Sequence, residues 1–235
     1  FILIREWFRE AQITVPEHIE ETIYYLGQGY AFIWQNIKID LFFNGNTNSN
    51  NYEFDSYLQR LGYKFKNENH DFGGYVVFKD KKTGLVMDVG STPNQKYTKD
   101  YQSGALSFEI IRNGKKLISN CGYFHRGNPK LNKISKSTAT QSTLVIDDHS
   151  SCNIDNSLSI NKGLKILKKT TIFEKNYWKI SASHDGYLKK YNSIHEREIE
   201  FYPEQMTFIG MDRIIKKKEN HNYKFDIRFH VEPGV

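Results

Sequence analysis

Cysteine, proline and methionine are scarce in this chain: two, five and three among 235 residues. Cys121 and Cys152 cannot build a disulfide scaffold or a four-ligand zinc site, because both need more thiols. The readings left are one disulfide in an oxidising compartment, or two small buried thiols. No apolar run approaches the roughly 18–20 residues of a membrane span, so none is expected. Helix-turn-helix patterning, zinc-finger spacing and aromatic RNA-binding motifs are also lacking, which argues against nucleic acid as a partner. The chain opens on Phe1 with no basic-then-apolar leader, so the expectation is a piece of a longer protein whose targeting signal lies upstream. Acid is the charge in short supply. With 27 acidic against 33 basic residues the net charge is +6 and the pI about 9.0, a balance that favours anionic partners.

What is present divides in two. From Glu17 to Trp34 the apolar residues Ile19, Ile23, Tyr24, Leu26, Tyr30 and Ile33 recur mostly every three or four positions, which predicts a helix that Gly27 and Gly29 weaken. The stretch NGNTNSNN (44–51) is a loop, and a short helix is expected from Glu53 to Leu61, stopped by Gly62. Beyond Gly62 the period becomes two. The runs GYVVFKD (74–80), GLVMDVG (84–90), ALSFEII (105–111), KLISN (116–120), STLVID (142–147) and LKILKKTTIFE (164–174) predict strands. So do YWKISASHDGY (177–187), HEREIEFY (195–202), MTFIGMDRI (206–214) and YKFDIRFHVE (223–232). Short strands separated by turn signals point to an antiparallel β-sandwich preceded by a short α-helical segment. In the last strand Phe225, Ile227 and Phe229 alternate with Asp226, Arg228 and His230, so one sheet face carries arginine and histidine and is a candidate ligand-facing surface.

Residues 101–122 read YQSGALSFEIIRNGKKLISNCG, and Asn113-Gly114 predicts a two-residue hairpin turn. Four stretches in order, SGALSFEI with NGKKLISNCG, KSTATQSTLVIDDHSSC, ASHDGYLKKY with IHERE, and IRFHVEPGV, resemble the C-terminal half of heparinase II/III-like proteins. KIDLFFNGN resembles the last segment of that family's helical domain. The resemblance implies the end of an α/α toroid over 1–45, a linker over 46–62 and a sandwich domain over 63–235. It also implies a polysaccharide lyase of the cell envelope, in the periplasm, that cleaves acidic, uronic-acid-containing polysaccharide by β-elimination. The principal catalytic residues would lie upstream of Phe1, in a preceding helical domain that is this chain's partner. A non-catalytic carbohydrate-binding or cell-envelope module is the alternative.

Many members of the family carry a zinc-binding His, Asp and His where this chain has Gln102, Asn120 and Gln141. Neutral amides are poor zinc ligands, so no metal and no cofactor is expected. The trio is instead expected to tie the hairpin to its neighbouring strand by hydrogen bonds. Gln102, Gln141, His184 and Arg126 are the candidate substrate-binding residues. His184 either lines the cleft or caps the Asp185-Gly186 turn, and Arg126, in the loop CGYFHRGNPKLNK, offers a forked contact to a sugar acid. His195 and Arg197 share a strand face with Ile199 and Phe201 and are expected to be partly covered. The lysine run 216–218 would add only diffuse attraction.

Overall fold

A computed structural model of the chain describes residues 1–47, 51–125, 127–155, 157–217 and 222–234. It begins with helices α1 (Ile2–Glu10) and α2 (Glu17–Tyr30). Glu17 and Glu20 lie in the first turn of α2, where a carboxylate opposes the positive end of the helix dipole. The helix runs on into one π-type turn, Ala31–Gln35. Gly27 lies on its buried face with Ile19 and Ile23. A Cβ there would fall 2.0 Å from the Phe65 ring. The glycine is a close-approach site, not a weak point in the helix. Helix α3 (Asn51–Arg60) follows the loop.

Two main sheets and two strand pairs make up most of the rest. The first contains β1 (Asp71–Phe72), β2 (Tyr75–Lys79), β3 (Thr83–Asp88), β4 (Phe108–Arg112) and β5 (Lys115–Ser119). After α4 (Pro129–Ser135) come β6 (Leu144–Ile146) and the hairpin β7 (Asn153–Ile154) with β8 (Ile160–Lys162). The second sheet uses β9 (Ile166–Glu174), β10 (Tyr177–His184), β11 (Ser193–Tyr202) and β12 (Thr207–Lys216), with the one-turn α5 (Leu188–Tyr191) between β10 and β11. β13 (Phe225–Ile227) and β14 (His230–Val231) close the chain. The sheet orders are β1-β2-β3-β4-β5-β14 and β12-β11-β10-β9, and β13 pairs with β6. All named pairings are antiparallel.

The sheets face each other across Phe78, Leu85, Met87, Phe108 and Ile110 on one side and Trp178, Ile180, Ile199 and Phe201 on the other. Behind the first sheet, Val77, Val86 and Ile111 are covered by Phe32, Ile37, Leu41 and Phe43 of the helical segment and the strap that leaves it. Every residue of β3 is therefore buried. That is why 84–90 reads as a continuous apolar run, while β11, covered on one side, alternates.

The expected β-rich architecture stands, with local differences. Asn113 and Gly114 both take positive φ, 48° and 76°, as the tight hairpin requires. The run 223–232 is not one strand: β13 joins β6 while β14 joins β5. Its faces are also reversed from the expectation. Phe225, Ile227 and Phe229 are exposed, while Arg228 and His230 both turn to the Ala139 carbonyl, at 3.3 and 3.1 Å. The hairpin of β7 and β8 carries no clear alternation and was not expected. The cysteines are unpaired, and only Cys152 is buried; Cys121 is exposed.

In an open helix, alanine in place of glycine gains about 1 kcal/mol. Here Gly27→Ala is expected to lower the melting temperature, because Phe65 occupies the space. In a Phe65→Ala background the same substitution should become neutral or stabilising, and additive effects in the two backgrounds would contradict this packing.

Candidate functional site

The hairpin β4–β5 ends at Asn120, and the chain returns past Gln141 into β6, so the sandwich's own connectivity brings the three amides to one place. Asn120 Oδ1 accepts from the Ser142 amide at 2.8 Å. The Gln141 amide lies against Gly104, where a Cβ would come 3.0 Å from its Oε1. Gln102, two residues before that glycine, donates from Nε2 to the carbonyls of Gly122 (3.0 Å) and Ser135 (2.5 Å). Its Oε1 accepts from the Gly45 amide at 3.1 Å. All three are buried. Each amide holds main chain or a neighbouring hydroxyl: Asn120 joins the hairpin end to the approach to β6, and Gln102 ties the helical segment to the sandwich.

That tie leads to a cleft. The main-chain N–H of Gln102 donates to Asn44 Oδ1, and Asn44 Nδ2 reaches Tyr75 Oη at 2.5 Å and Asp88 Oδ2 at 3.3 Å. Asn44, Tyr75, Asp88, Asp100 and Tyr101 line a concavity of about 240 Å³ that Gly74 and Gly90 leave open. Burial pushes the Asp88 carboxyl up to about 7, against the opposing Gly90 amide and Asn44 hydrogen bonds. Burial also raises Tyr75, helped by the Asp88 charge. A carboxyl poised near neutrality beside a phenol can exchange a proton with a bound hydroxyl. Neither residue was singled out from the sequence. The available signal was an aspartate ending the otherwise apolar run GLVMD.

On the far side of the amides lies a second polar chain, enclosed between the sheets. Register sets His184 opposite His195 and Arg197 opposite Asp212. Gly186 N–H donates to His184 Nδ1 at 3.0 Å, which leaves the proton of His184 on Nε2. That proton is donated to His195 Nδ1 (3.2 Å), and His195 Nε2–H in turn donates to Asp212 Oδ1 (2.6 Å). Arg197 grips both oxygens of Asp212 at 2.8 and 2.9 Å. Burial, then the charges of His195 and Arg197, hold His184 well below the ordinary imidazole value. Burial raises the Asp212 carboxyl, but the His195 hydrogen bond and Arg197 outweigh it and bring it down to about 2. His195 and Arg197 are thus wholly covered, and His184 caps its turn rather than facing solvent.

Among the proposed contact residues, Gln102, Gln141 and His184 are enclosed and bonded within the chain. Arg126 and Lys218 lie outside the described residues. The neighbour of Arg126, His125, reaches the Gly45 carbonyl with Nε2 at 2.8 Å, which sets that loop against the Asn44–Gly45 turn beside the cleft. Lys216 lies over the Tyr223 ring at 5.0 Å.

The sequence profile of the heparinase II/III-like C-terminal family matches residues 68–235. The chain belongs to this family. Solved structures of similar fold include a heparinase III gene product (17% identity, TM-score 0.68, 94% of this chain and 36% of that one). A second is a heparinase III (16%, 0.66, 94% and 38%). A third is a heparan sulfate lyase from Pedobacter heparinus, solved as a mutant (17%, 0.62, 86% and 34%). This chain therefore spans little more than a third of each neighbour's length. No curated protein matches it by sequence. The heparinase II/III-like family is one of polysaccharide lyases, and the β-sandwich is the part of it seen here. No helix among the described residues is long and apolar enough to cross a membrane.

The zinc implied by the resemblance does not fit these residues. The Gln102 and Asn120 oxygens already accept main-chain N–H groups, and an amide gains nothing by losing a proton to a metal. Among the described residues no group of three His, Cys, Asp or Glu side chains is placed to hold an ion. The purified protein is expected to carry no stoichiometric zinc, and a chelator should leave its melting temperature unchanged. One tightly held zinc per chain would contradict the amide assignment.

The histidine pair makes stability depend on pH. His184 stays neutral when folded but gains a proton in the unfolded chain below its ordinary value of 6.5. Its contribution is therefore full above about pH 7 and falls as pH drops through 6.5, by up to about 1.4 kcal/mol per pH unit for one proton. Denaturant unfolding between pH 7 and 5 should show a shallower loss in His184→Gln than in the wild type. Equal slopes would contradict a neutral, buried His184.

Proposed function

We propose that this chain is the C-terminal portion of a polysaccharide lyase that cleaves acidic, uronic-acid-containing polysaccharide by β-elimination in the bacterial cell envelope. The observation that carries this reading is the family match over 68–235. In such a reaction a base removes the proton at C5 of a uronate, the bond from C4 to the leaving oxygen breaks, and a C4=C5 double bond forms. The carboxylate beside C5 must be neutralised by cations or hydrogen-bond donors while charge builds. We assign the base and the neutralising group to a preceding helical domain, and one wall of the cleft to the sandwich. Asn44, Tyr75 and Asp88 then stand at the seam where the two parts meet, and Asp88 suits proton exchange with a sugar hydroxyl or leaving oxygen.

The helical segment supports this division. Phe1, and Leu3, Trp7, Tyr24, Tyr25 and Leu26 of α1 and α2, are all exposed, and large apolar side chains left open together mark an interaction surface. Further helices of the same toroid are the fitting cover. In the proposed division 1–45 ends that toroid, 46–62 links and 63–235 forms the sandwich. One feature supports a binding module instead, namely the amides Gln102, Asn120 and Gln141 at the positions where the resemblance implies histidine and carboxylate ligands.

The test compares the full-length protein with this chain alone on heparan sulfate, hyaluronan and alginate, following the ultraviolet absorbance of the unsaturated uronide. Absorbance from the full-length protein and none from the chain alone is expected. Elimination by the chain alone would overturn the division of labour. A full-length protein that binds these polymers but cleaves none would favour the binding module.

A further inference from the structure

A cavity of about 840 Å³ opens on the sandwich between the loop 148–154, the end of β8 and the turn that leads into α5. It shares no lining residue with the Asn44–Asp88 cleft. Its size is that of a site for a small saccharide. Lys133 of α4, Lys162 of β8, and Lys189 and Lys190 of α5 all line it. The two acids in the lining are already engaged: Asp148 pairs with Arg228 Nη2 at 3.1 Å, and Asp185 Oδ1 accepts the Lys165 amide at 2.7 Å. Among the described residues, none of the four lysines takes part in an ion pair. Lys162 of β8 and Lys189 of α5 line the same cavity from two different elements. After burial, the Lys189 charge is the next cause holding the Lys162 ammonium below its ordinary value, with Asp185 opposing.

Like charges brought together in a concave site cost free energy that an anion between them offsets. The floor is firm. Ser151 N–H donates to Thr138 Oγ1, whose hydroxyl donates to the Ser103 carbonyl, one residue from Gln102. Buried Tyr187 anchors the α5 side through the Leu144 carbonyl at 2.9 Å. The lysines thus project from held elements. Ammonium groups act as point charges that tolerate any oxyanion geometry, in contrast to the carboxylate-matching fork of arginine.

We propose that this cavity binds an oxyanion borne by a saccharide, a sulfate ester or uronate, between Lys162 and Lys189, as a subsite separate from the cleft. The source of the oxyanion rests on the acidic-polysaccharide reading. The test uses the full-length protein and reads the lysines themselves. Reductive methylation is followed by peptide mass spectrometry, with a sulfated heparin disaccharide, its desulfated and carboxyl-reduced counterpart, or inorganic sulfate present. The sulfated disaccharide should slow methylation of Lys162 and Lys189 and leave Lys82 and Lys175, equally exposed but outside the cavity, unchanged, while the uncharged counterpart protects neither. Binding of that disaccharide should weaken about tenfold in Lys162→Gln/Lys189→Gln, as loss of charged hydrogen bonds implies. The control Lys82→Gln/Lys175→Gln, which removes the same charge, should show little loss. Equal losses in both variants, or uniform protection of all four lysines, would reduce the cavity to diffuse surface charge. Protection by inorganic sulfate as good as that by the disaccharide would overturn the saccharide as ligand. Uronide release by the same full-length protein is recorded in parallel, so failure of the subsite and failure of the lyase reading are told apart.

Discussion

A buried guanidinium joins the parts of this sandwich that apolar packing alone would leave free to slide. Arg197 on β11 spends two nitrogens on Asp212 of β12, and its third donates to the carbonyls of Leu106 and Ser142, at 3.0 and 2.7 Å. Its plane also lies over Phe108, 5.3 Å from the ring centroid. Those two carbonyls belong to the entry of the first sheet and the approach to β6, so one side chain ties the second sheet to both. A cation in the interior is costly unless every donor is matched. Here the matching groups are fixed in position, and their positions define where Ser142, and with it Asn120, must lie.

A comparable ion pair fixes the other seam. Glu109 of β4, wholly enclosed, pairs with Lys116 of β5 at 3.0 Å, and its Oε1 accepts the amides of Phe42 and Asn120. The Lys116 ammonium in turn lies 3.3 Å from the centroid of the Phe42 ring. Burial raises the Glu109 carboxyl, and the Lys116 charge opposes that rise. The strap from the helical segment is thus held to the back of the sheet by charge as well as by Ile37, Leu41 and Phe43. Removing one partner of such a pair costs about 3–5 kcal/mol, because the other charge is left buried alone. The Asn44–Asp88 cleft depends on this strap, since the strap carries Asn44 to Tyr75 and Asp88.

At the three positions where the family resemblance implies metal ligands, this chain places amides that hydrogen-bond within the fold. A zinc ion would draw together side chains from the hairpin ends and the approach to β6. Gln102 and Asn120 bond the main chain of other segments directly, while Gln141 holds the neighbouring Thr140 hydroxyl, so the crosslinking is done by neutral hydrogen bonds of the first two. Such bonds are worth about 1 kcal/mol each net, and they do not depend on metal supply. What they cannot supply is a Lewis acid or a positive charge near the cleft.

The sequence alone determined the class of fold, because a period of two, interrupted by turn residues, has few physical solutions other than packed antiparallel sheets. It determined the Asn113-Gly114 hairpin, since both residues accept positive φ, and the ordered motifs around Phe108 and Gln141 carried the family resemblance. Tertiary structure decided the rest. Whether GLVMD is buried on one face or two depends on the strap behind it, over forty residues earlier in the chain. Which side of 225–230 faces inward depends on the Ala139 carbonyl, which draws in Arg228 and His230. His184 reads as a candidate ligand contact until its partners across the strand, His195 and then Asp212, enclose it. Asp88 reads as one more polar residue until burial raises its carboxyl. Periodicity reports which residues share a face, but not what lies against that face, and ionisation is set by the latter.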